Sequence, residues 1–138
     1  MKFLFDASSI FQVIRNLDEE KALRVLNGNC ILDLTKYEVG NALWKERVLH
    51  QAIAEDEFQE FLKLFKTIIL RTKVLVVEAE NLSDIAEVAA KERATFYDAS
   101  YITIAKMQDL TLITEDGQLA KVASKYTKAA ASKDIPSF

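Results

Sequence analysis

The stretch "KFLFDASSIFQVIRNL", residues 2–17, decides the fold class. "KFLF" (2–5) is short, apolar and aromatic, which predicts a strand. "ASSIFQVIRNL" (7–17) switches to apolar residues at helical spacing. The switch takes place across one residue, Asp6. A strand that hands over directly to a helix is the first half of a β–α unit.

The alternation continues along the chain. "DEEKALRVLNG" (18–28) predicts a helix with acids in its first turn and Asn-Gly at its end. "NCILDL" (29–34) predicts a second strand. "TKYEVGNALWKERVLHQ" (35–51) predicts a long helix, in which Thr35 and Glu38 fit a capping box. "EDEFQEFLKLFKTIIL" (55–70) places Phe58, Phe61, Leu62, Phe65, Ile68 and Ile69 on one helical face. That face serves the core, a dimer contact or a partner helix in a groove. "KVLVV" (73–77) is a third strand. "NLSDIAEVAAKERA" (81–94) and "DASYITIAKMQD" (98–109) are helices, and "LTLIT" (110–114) is a fourth strand. "DGQLAKVASKY" (116–126) is a last helix, and "TKAAA" (127–131) a weak edge strand. Strands alternating with helices imply a three-layer α/β/α sandwich with a mainly parallel sheet. Right-handed crossovers put the C-terminal strand ends on one rim, where ligands bind at the reversal of strand order.

Length and composition agree. The 138 residues suit one domain over 1–138. Half are hydrophobic, enough for a full core, and only 3 Gly and 1 Pro argue against disorder or a turn-rich all-β fold. A net charge of −3 does not mark a nucleic-acid binder, but binding depends on where charge lies and on bound cations. Cys30 is the one cysteine, so no internal disulfide or zinc-finger spacing exists, and it reads as a small buried hydrophobe. That suits a reducing cytoplasm. The apolar N-terminal run is too short for a signal peptide and is broken by Asp6. No stretch of about 18 apolar residues predicts a membrane helix.

The acids at the strand ends carry the chemistry. Asp6 ends the first strand, Glu38 lies in the first turn after the second, Asp98 opens a helix, and Asp116 follows the fourth strand. Asp6 and Asp98 are each followed by Ala-Ser, as if both ended an approach to one point and then started a helix. Taken singly, Asp6, Asp98 and Asp116 read more readily as helix N-caps, each stabilising by about 1 kcal/mol. Taken together, four carboxylates converge on one rim. Two such charges 4 Å apart repel by about 4 kcal/mol at an effective dielectric of 20. Protonation or a cation relieves that repulsion. Hard oxygen ligands suit Mg2+ or Mn2+, and no His or Cys cluster competes. The chemistry implied is phosphodiester hydrolysis. Thr114 and Asp116 lie two apart on an extended segment, and Glu38 and Asn41 three apart on a helix, so each pair points one way.

"FLFDASSI", "LTKYEVGNALWKE", "ATFYDASYITIA" and "LITEDGQLAKVA", in that order, resemble the motifs of PIN-domain ribonucleases. The likeness is greatest to the VapC-type toxins of toxin–antitoxin pairs and runs from residue 2 to about residue 124. The resemblance implies that Asp6, Glu38, Asp98 and Asp116 bind one or two Mg2+ or Mn2+ ions. It implies that Ser8, Asn41 and Thr114 support an acid or a water. It further implies endonucleolytic RNA cleavage, an antitoxin partner and a homodimer.

Candidate phosphate contacts are Arg15, Lys36, Lys45, Arg47 and Arg93, each also readable as a solvated surface charge. They form no basic stripe, so a bound cation would have to attract the phosphate. His50, near a helix end, favours the helix dipole when charged. Trp44 is expected in the core, with most of the phenylalanines. Tyr97 and Tyr101 flank Asp98, for base stacking or for packing. Two other classes compete. A receiver-like phospho-accepting domain wants adjacent acids near the first strand, and "FLFDASSI" has one. An Asp-x-Asp phosphatase fails because residue 8 is Ser. A PIN-like module without catalysis, binding only RNA or protein, is the remaining alternative.

Overall fold

The computed structural model of the protein describes residues 2–136. β1 (Phe3–Phe5) leads into α1 (Ala7–Asn16) and α2 (Glu19–Leu26). β2 (Cys30–Leu32) is followed by α3 (Asp33–Trp44), which widens into a π-helical stretch at Lys45–Leu49. α4 (Glu55–Arg71) returns the chain to β3 (Lys73–Leu75). α5 (Leu82–Glu92) and α6 (Phe96–Met107) precede β4 (Thr111–Ile113). α7 (Gly117–Ala123) joins it to a short edge strand, β5 (Ala129–Ala130).

All strand pairs are parallel, in the order β3-β2-β1-β4-β5. The chain builds from β1 out to β3, then re-enters at β4 on the other side of β1. Strand order therefore reverses between β1 and β4, where connections leave in opposite directions, the position at which open sheets of this kind take their ligands. Phe5 is in register with Ile113, and the Asp6 N–H donates to the Ile113 carbonyl at 3.0 Å. The last rung of this ladder delivers Asp6 and Thr114 together onto the rim.

Alternate strand residues feed opposite faces. Phe5, Ile31 and Ile113 pack with α1, α2, α3 and α4, through residues such as Ile10, Leu26, Leu43 and Phe65. Leu4, Cys30, Leu32 and Leu112 pack on the other side with α6 and α7, through Ile102, Ala105 and Leu119. Val88 of α5 joins that layer. The result is the expected α/β/α sandwich. Three-residue strands form few ladder hydrogen bonds, so the two apolar layers hold the sheet, each buried Leu, Ile or Phe contributing roughly 1.5–3 kcal/mol. The apolar face of α4 belongs to the core: Phe65 and Ile68 are buried, and Phe58, Phe61, Leu62 and Ile69 pack against them. Cys30 is buried and unbridged. Gly28, beyond α2, takes φ +76°, a left-handed turn conformation that Gly adopts without strain.

Several local expectations change. The third strand stops at Leu75 because its partner β2 ends at Leu32, and Val76 is exposed. α3 begins two residues earlier than the spacing predicts. Thr35 is therefore the third helical residue, accepting the Leu32 N–H at 3.1 Å, and Glu38 is not its capping-box partner. Likewise Thr95, not Asp98, caps α6, accepting the Asp98 N–H at 3.1 Å. Trp44 is not in the core but 43% exposed, because Val39 and Leu43 occupy the buried side of α3. Of the phenylalanines, Phe5 and Phe65 are buried, Phe3, Phe11, Phe58 and Phe61 pack at the core's edge, and Phe96 is exposed.

Candidate active site

Asp6 caps α1. Its Oδ1 accepts the Ser9 N–H at 2.9 Å and the Ser8 hydroxyl at 2.7 Å. The Ser9 hydroxyl ties the same turn to the Ile113 carbonyl at 2.9 Å. Asp6 is only 5% exposed, and burial raises its carboxyl above the ordinary range. Hydrogen bonds from Thr114, Ser9 and Ser8 oppose that shift without cancelling it.

Asp116 caps α7 in the same manner, its Oδ1 accepting the Gln118 and Leu119 N–H groups at 2.9 and 3.1 Å. A polar lattice joins the two caps. The Ser8 and Thr114 hydroxyls lie 3.2 Å apart, Ser8 Oγ accepts the Glu115 N–H at 2.9 Å, and Thr114 Oγ1 accepts the Asp116 N–H at 3.1 Å. Ser8 and Thr114 thus hydrogen-bond to both capping segments, Ser8 to Asp6 and Thr114 to the Asp116 N–H.

Glu38, one turn into α3, is half-buried, and its Oε1 accepts the Tyr101 hydroxyl at 2.8 Å. Burial is the main force raising its carboxyl, the Tyr101 hydrogen bond lowers it, and the charges of Asp6 and Asp98 raise it further. Asp98 is raised by burial, then by Asp116 and Asp6. Among the described residues, none hydrogen-bonds its carboxylate; only its backbone N–H is engaged, by Thr95. Asp6 and Asp98 therefore act on Glu38, and Asp116 and Asp6 on Asp98.

No three of these acids form a ready-made cage among the described residues. A divalent cation held here would need waters to complete its shell. Mg2+ keeps several waters and uses one or two carboxylates rather than an all-protein shell. The donors are all hard carboxylate oxygens, and burial first, then neighbouring carboxylates (Asp6 and Asp98 on Glu38, Asp116 and Asp6 on Asp98), raise two of them. The donor set fits such a cation.

A model of the PIN domain family matches residues 3–125. The chain belongs to the PIN-domain family. It is 35% identical over 122 residues to the Exonuclease VapC9 of Pyrobaculum aerophilum, covering 86% of this chain and 84% of that protein. It is 33% identical over 128 residues to the Ribonuclease VapC3 of the same organism, covering 88% and 94%. The crystal structure of PAE2754 from Pyrobaculum aerophilum superposes with a TM-score of 0.76 at 30% identity, over 94% of this chain and 83% of that one. The protein is thus a PIN domain of the VapC type, in a family of nucleases.

Other residues of this PIN domain fall differently from one another. Asn41 is exposed on α3. Arg15 pairs with Glu46 at 3.6 Å, Lys36 with Asp33 at 2.8 Å and Arg47 with Glu55 at 3.1 Å, so each has a carboxylate beside it. Lys45 is exposed on the π-helical turn, and Arg93 ends α5 with a left-handed backbone. His50 is exposed, 3.7 Å from Glu46. The two tyrosines beside Asp98 separate: Tyr97 is 59% exposed and Tyr101 is 1% exposed with its hydroxyl on Glu38. Ser9, Thr35 and Tyr101 are the residues whose part in the site the sequence motifs do not mark. The i, i+3 spacings Thr35–Glu38 and Asp98–Tyr101 are the signal that could have found two of them.

Proposed function

We propose that this PIN-domain nuclease is a Mg2+- or Mn2+-dependent endoribonuclease and the toxin of a toxin–antitoxin pair, with Asp6, Glu38, Asp98 and Asp116 as its metal-binding and catalytic acids. One observation supports the reading: after burial, the charges of Asp6 and Asp98 raise Glu38 and those of Asp116 and Asp6 raise Asp98, so acids from four segments are electrically coupled near the β1/β4 reversal. A divalent cation held there would supply an acidified water and neutralise charge on a phosphoryl oxygen.

The chain's own residues do the rest. Asp6 and Asp116 are fixed by their caps and by the Ser8–Thr114 lattice. Asp98 is free of such bonds, and its raised proton affinity favours taking a proton from an attacking water. Asn41, three residues after Glu38 on α3, would orient a water or a phosphate. Lys45, with Arg15 and Lys36 when freed from their carboxylates, would meet the RNA backbone. The exposed apolar side chains of Tyr37, Trp44, Val48 and Leu49 along α3 and its extension offer a surface of the kind a protein partner covers. On this reading that partner is the antitoxin, the protein acts in the cytoplasm, and it works as a homodimer of single-domain chains. No helix of the described residues is long and apolar enough to cross a membrane.

The test uses linear and circular single-stranded RNA, with wild type and Asp98→Asn side by side. Wild type should cut both RNAs with Mg2+ or Mn2+ and neither with a chelator, and Asp98→Asn should cut neither. Cutting by pure Asp98→Asn removes the proposed role of the acids. Shortening of linear RNA with circular RNA intact would make the enzyme an exonuclease instead.

A further inference from the structure

Glu38 is reached by a chain of two buried hydroxyls, Thr35 on its own helix and Tyr101 on α6. The Leu32 N–H, at the end of β2, donates to Thr35 Oγ1 at 3.1 Å. Thr35 Oγ1 lies 2.8 Å from Tyr101 Oη, which lies 2.8 Å from Glu38 Oε1. Chemistry fixes the order of the protons. An ionised carboxylate only accepts, so the single Tyr101 proton goes to Glu38. Thr35 must then donate to Tyr101, and its own oxygen accepts from Leu32. Every donor points towards Glu38. Thr35 and Tyr101 are buried, so this arrangement is shielded from exchange with bulk solvent.

We propose that Tyr101 and Thr35 are positioning residues that turn Glu38 into a one-oxygen ligand, biasing the site towards a small octahedral cation and against calcium. The inference rests on the metal-dependent reading above. Tyr101 occupies one lone-pair direction of Oε1, which leaves Oε2 the unhindered oxygen for an ion and makes two-oxygen binding the costlier mode. Mg2+ is small and demands a near-octahedral shell completed by waters, so one carboxylate oxygen suffices. Ca2+ takes 6–8 oxygens and often both oxygens of one carboxylate. Holding Oε1 back therefore costs calcium more. The same chain clamps α3 to α6 at the point where each contributes an acid, since Thr35 precedes Glu38 by three residues and Tyr101 follows Asp98 by three. Partners outside a metal's direct ligands commonly set ligand orientation in this way.

The experiment is calorimetric titration of the full chain with Mn2+ alone and with Ca2+ alone, for wild type, Tyr101→Phe, Thr35→Val, Thr35→Ser and Asp98→Asn. Tyr101→Phe keeps the ring and removes the hydroxyl. It should weaken Mn2+ binding by about 10–100-fold, as loss of such an outer partner does. Ca2+ binding should weaken less or strengthen, so the preference for Mn2+ narrows. Thr35→Val should narrow it too, and Thr35→Ser, which keeps a hydroxyl, should restore it. Thermal melts show which variants are folded at the titration temperature, and Thr35→Val carries the test should Tyr101→Phe not fold. Equal loss of both ions is the mark of a merely structural role and overturns the proposal, as does an unchanged preference in both variants while wild type binds. Wild type that binds neither ion, or binds as Asp98→Asn does, sinks the metal-dependent reading itself.

Discussion

The two halves of the acidic rim are built on different physical terms. At the ends of β1 and β4, Asp6 and Asp116 are helix caps as well as proposed site residues, and their Oδ1 atoms are committed to backbone N–H groups. On α3 and α6, Glu38 and Asp98 lie inside helices that other residues begin. Glu38 is held by a tyrosine, and Asp98 has only its backbone engaged. The first half does structural work whether or not a cation is present. The second half has no structural work for Asp98, whose raised carboxyl is a strain on the metal-free fold. Function and stability should therefore separate cleanly at Asp98, and at Asp6 only in a variant that keeps the cap.

The largest effect tests that separation. Asp98→Asn should lower metal-dependent RNA cleavage by more than the roughly 10–100-fold that losing an outer partner of a metal ligand costs. Its melting temperature in chelator should equal or exceed that of wild type. A large loss of stability in this variant would show that Asp98 supports the fold, and the two halves would not differ.

Asp6 gives the contrasting pair. Asn caps a helix about as well as Asp, so Asp6→Asn should keep the fold and lose cleavage. Asp6→Ala removes the cap and strands the Ser8 hydroxyl and Ser9 N–H, at a cost of about 1–3 kcal/mol. Chemical denaturation of both variants beside wild type reads the difference, and equal stability would break the claim that the cap matters. Asp116→Ala should cost less, about 1 kcal/mol for a cap that is more exposed, measured the same way.

The same contrast explains what could be read from sequence. Asp6 was legible because a strand, a cap and a helix follow one another within a few residues, and local chemistry alone fixes that order. The layered architecture was legible because period-two and helical patterns alternate along the whole chain. Asp98 was legible as an acid but not in its local setting. The repeated Asp-Ala-Ser suggests two equal caps, yet Thr95 begins α6 and leaves Asp98 a turn inside. Thr95 and Asp98 are both good N-caps, and spacing by itself does not choose between them. Thr35 met the same ambiguity with Glu38. Tyr101 was hidden for another reason. Its role is a contact between residues 63 apart in sequence, set by how α6 docks beside α3. Trp44 failed as a core residue because hydrophobicity does not tell which side of a helix faces in when both sides carry apolar residues.

The smallest effect lies in the pH dependence of the metal-free protein. Asp98 ordinarily titrates at 3.8, and in the fold burial, then Asp116 and Asp6, raise it. A group raised in this way binds its proton more tightly folded than unfolded. Between 3.8 and the raised value the folded chain carries more protons, so stability falls as pH rises through that window. The penalty is complete above the raised value and absent below the ordinary one. Asp6 follows the same sign, again chiefly through burial. Glu38 does too, with burial outweighing the opposing Tyr101 bond. Asp98→Asn isolates one of these acids, since Asn carries no charge at any pH. In chelator, wild type should melt below Asp98→Asn at neutral pH, and the gap should close as pH falls towards 3.8. Mn2+ at neutral pH should raise the wild-type melting temperature and leave the variant nearly unmoved. A gap that stays constant across this range would mean that the Asp98 charge is not felt by the fold, and the contrast between the two halves of the rim would rest on hydrogen bonds alone.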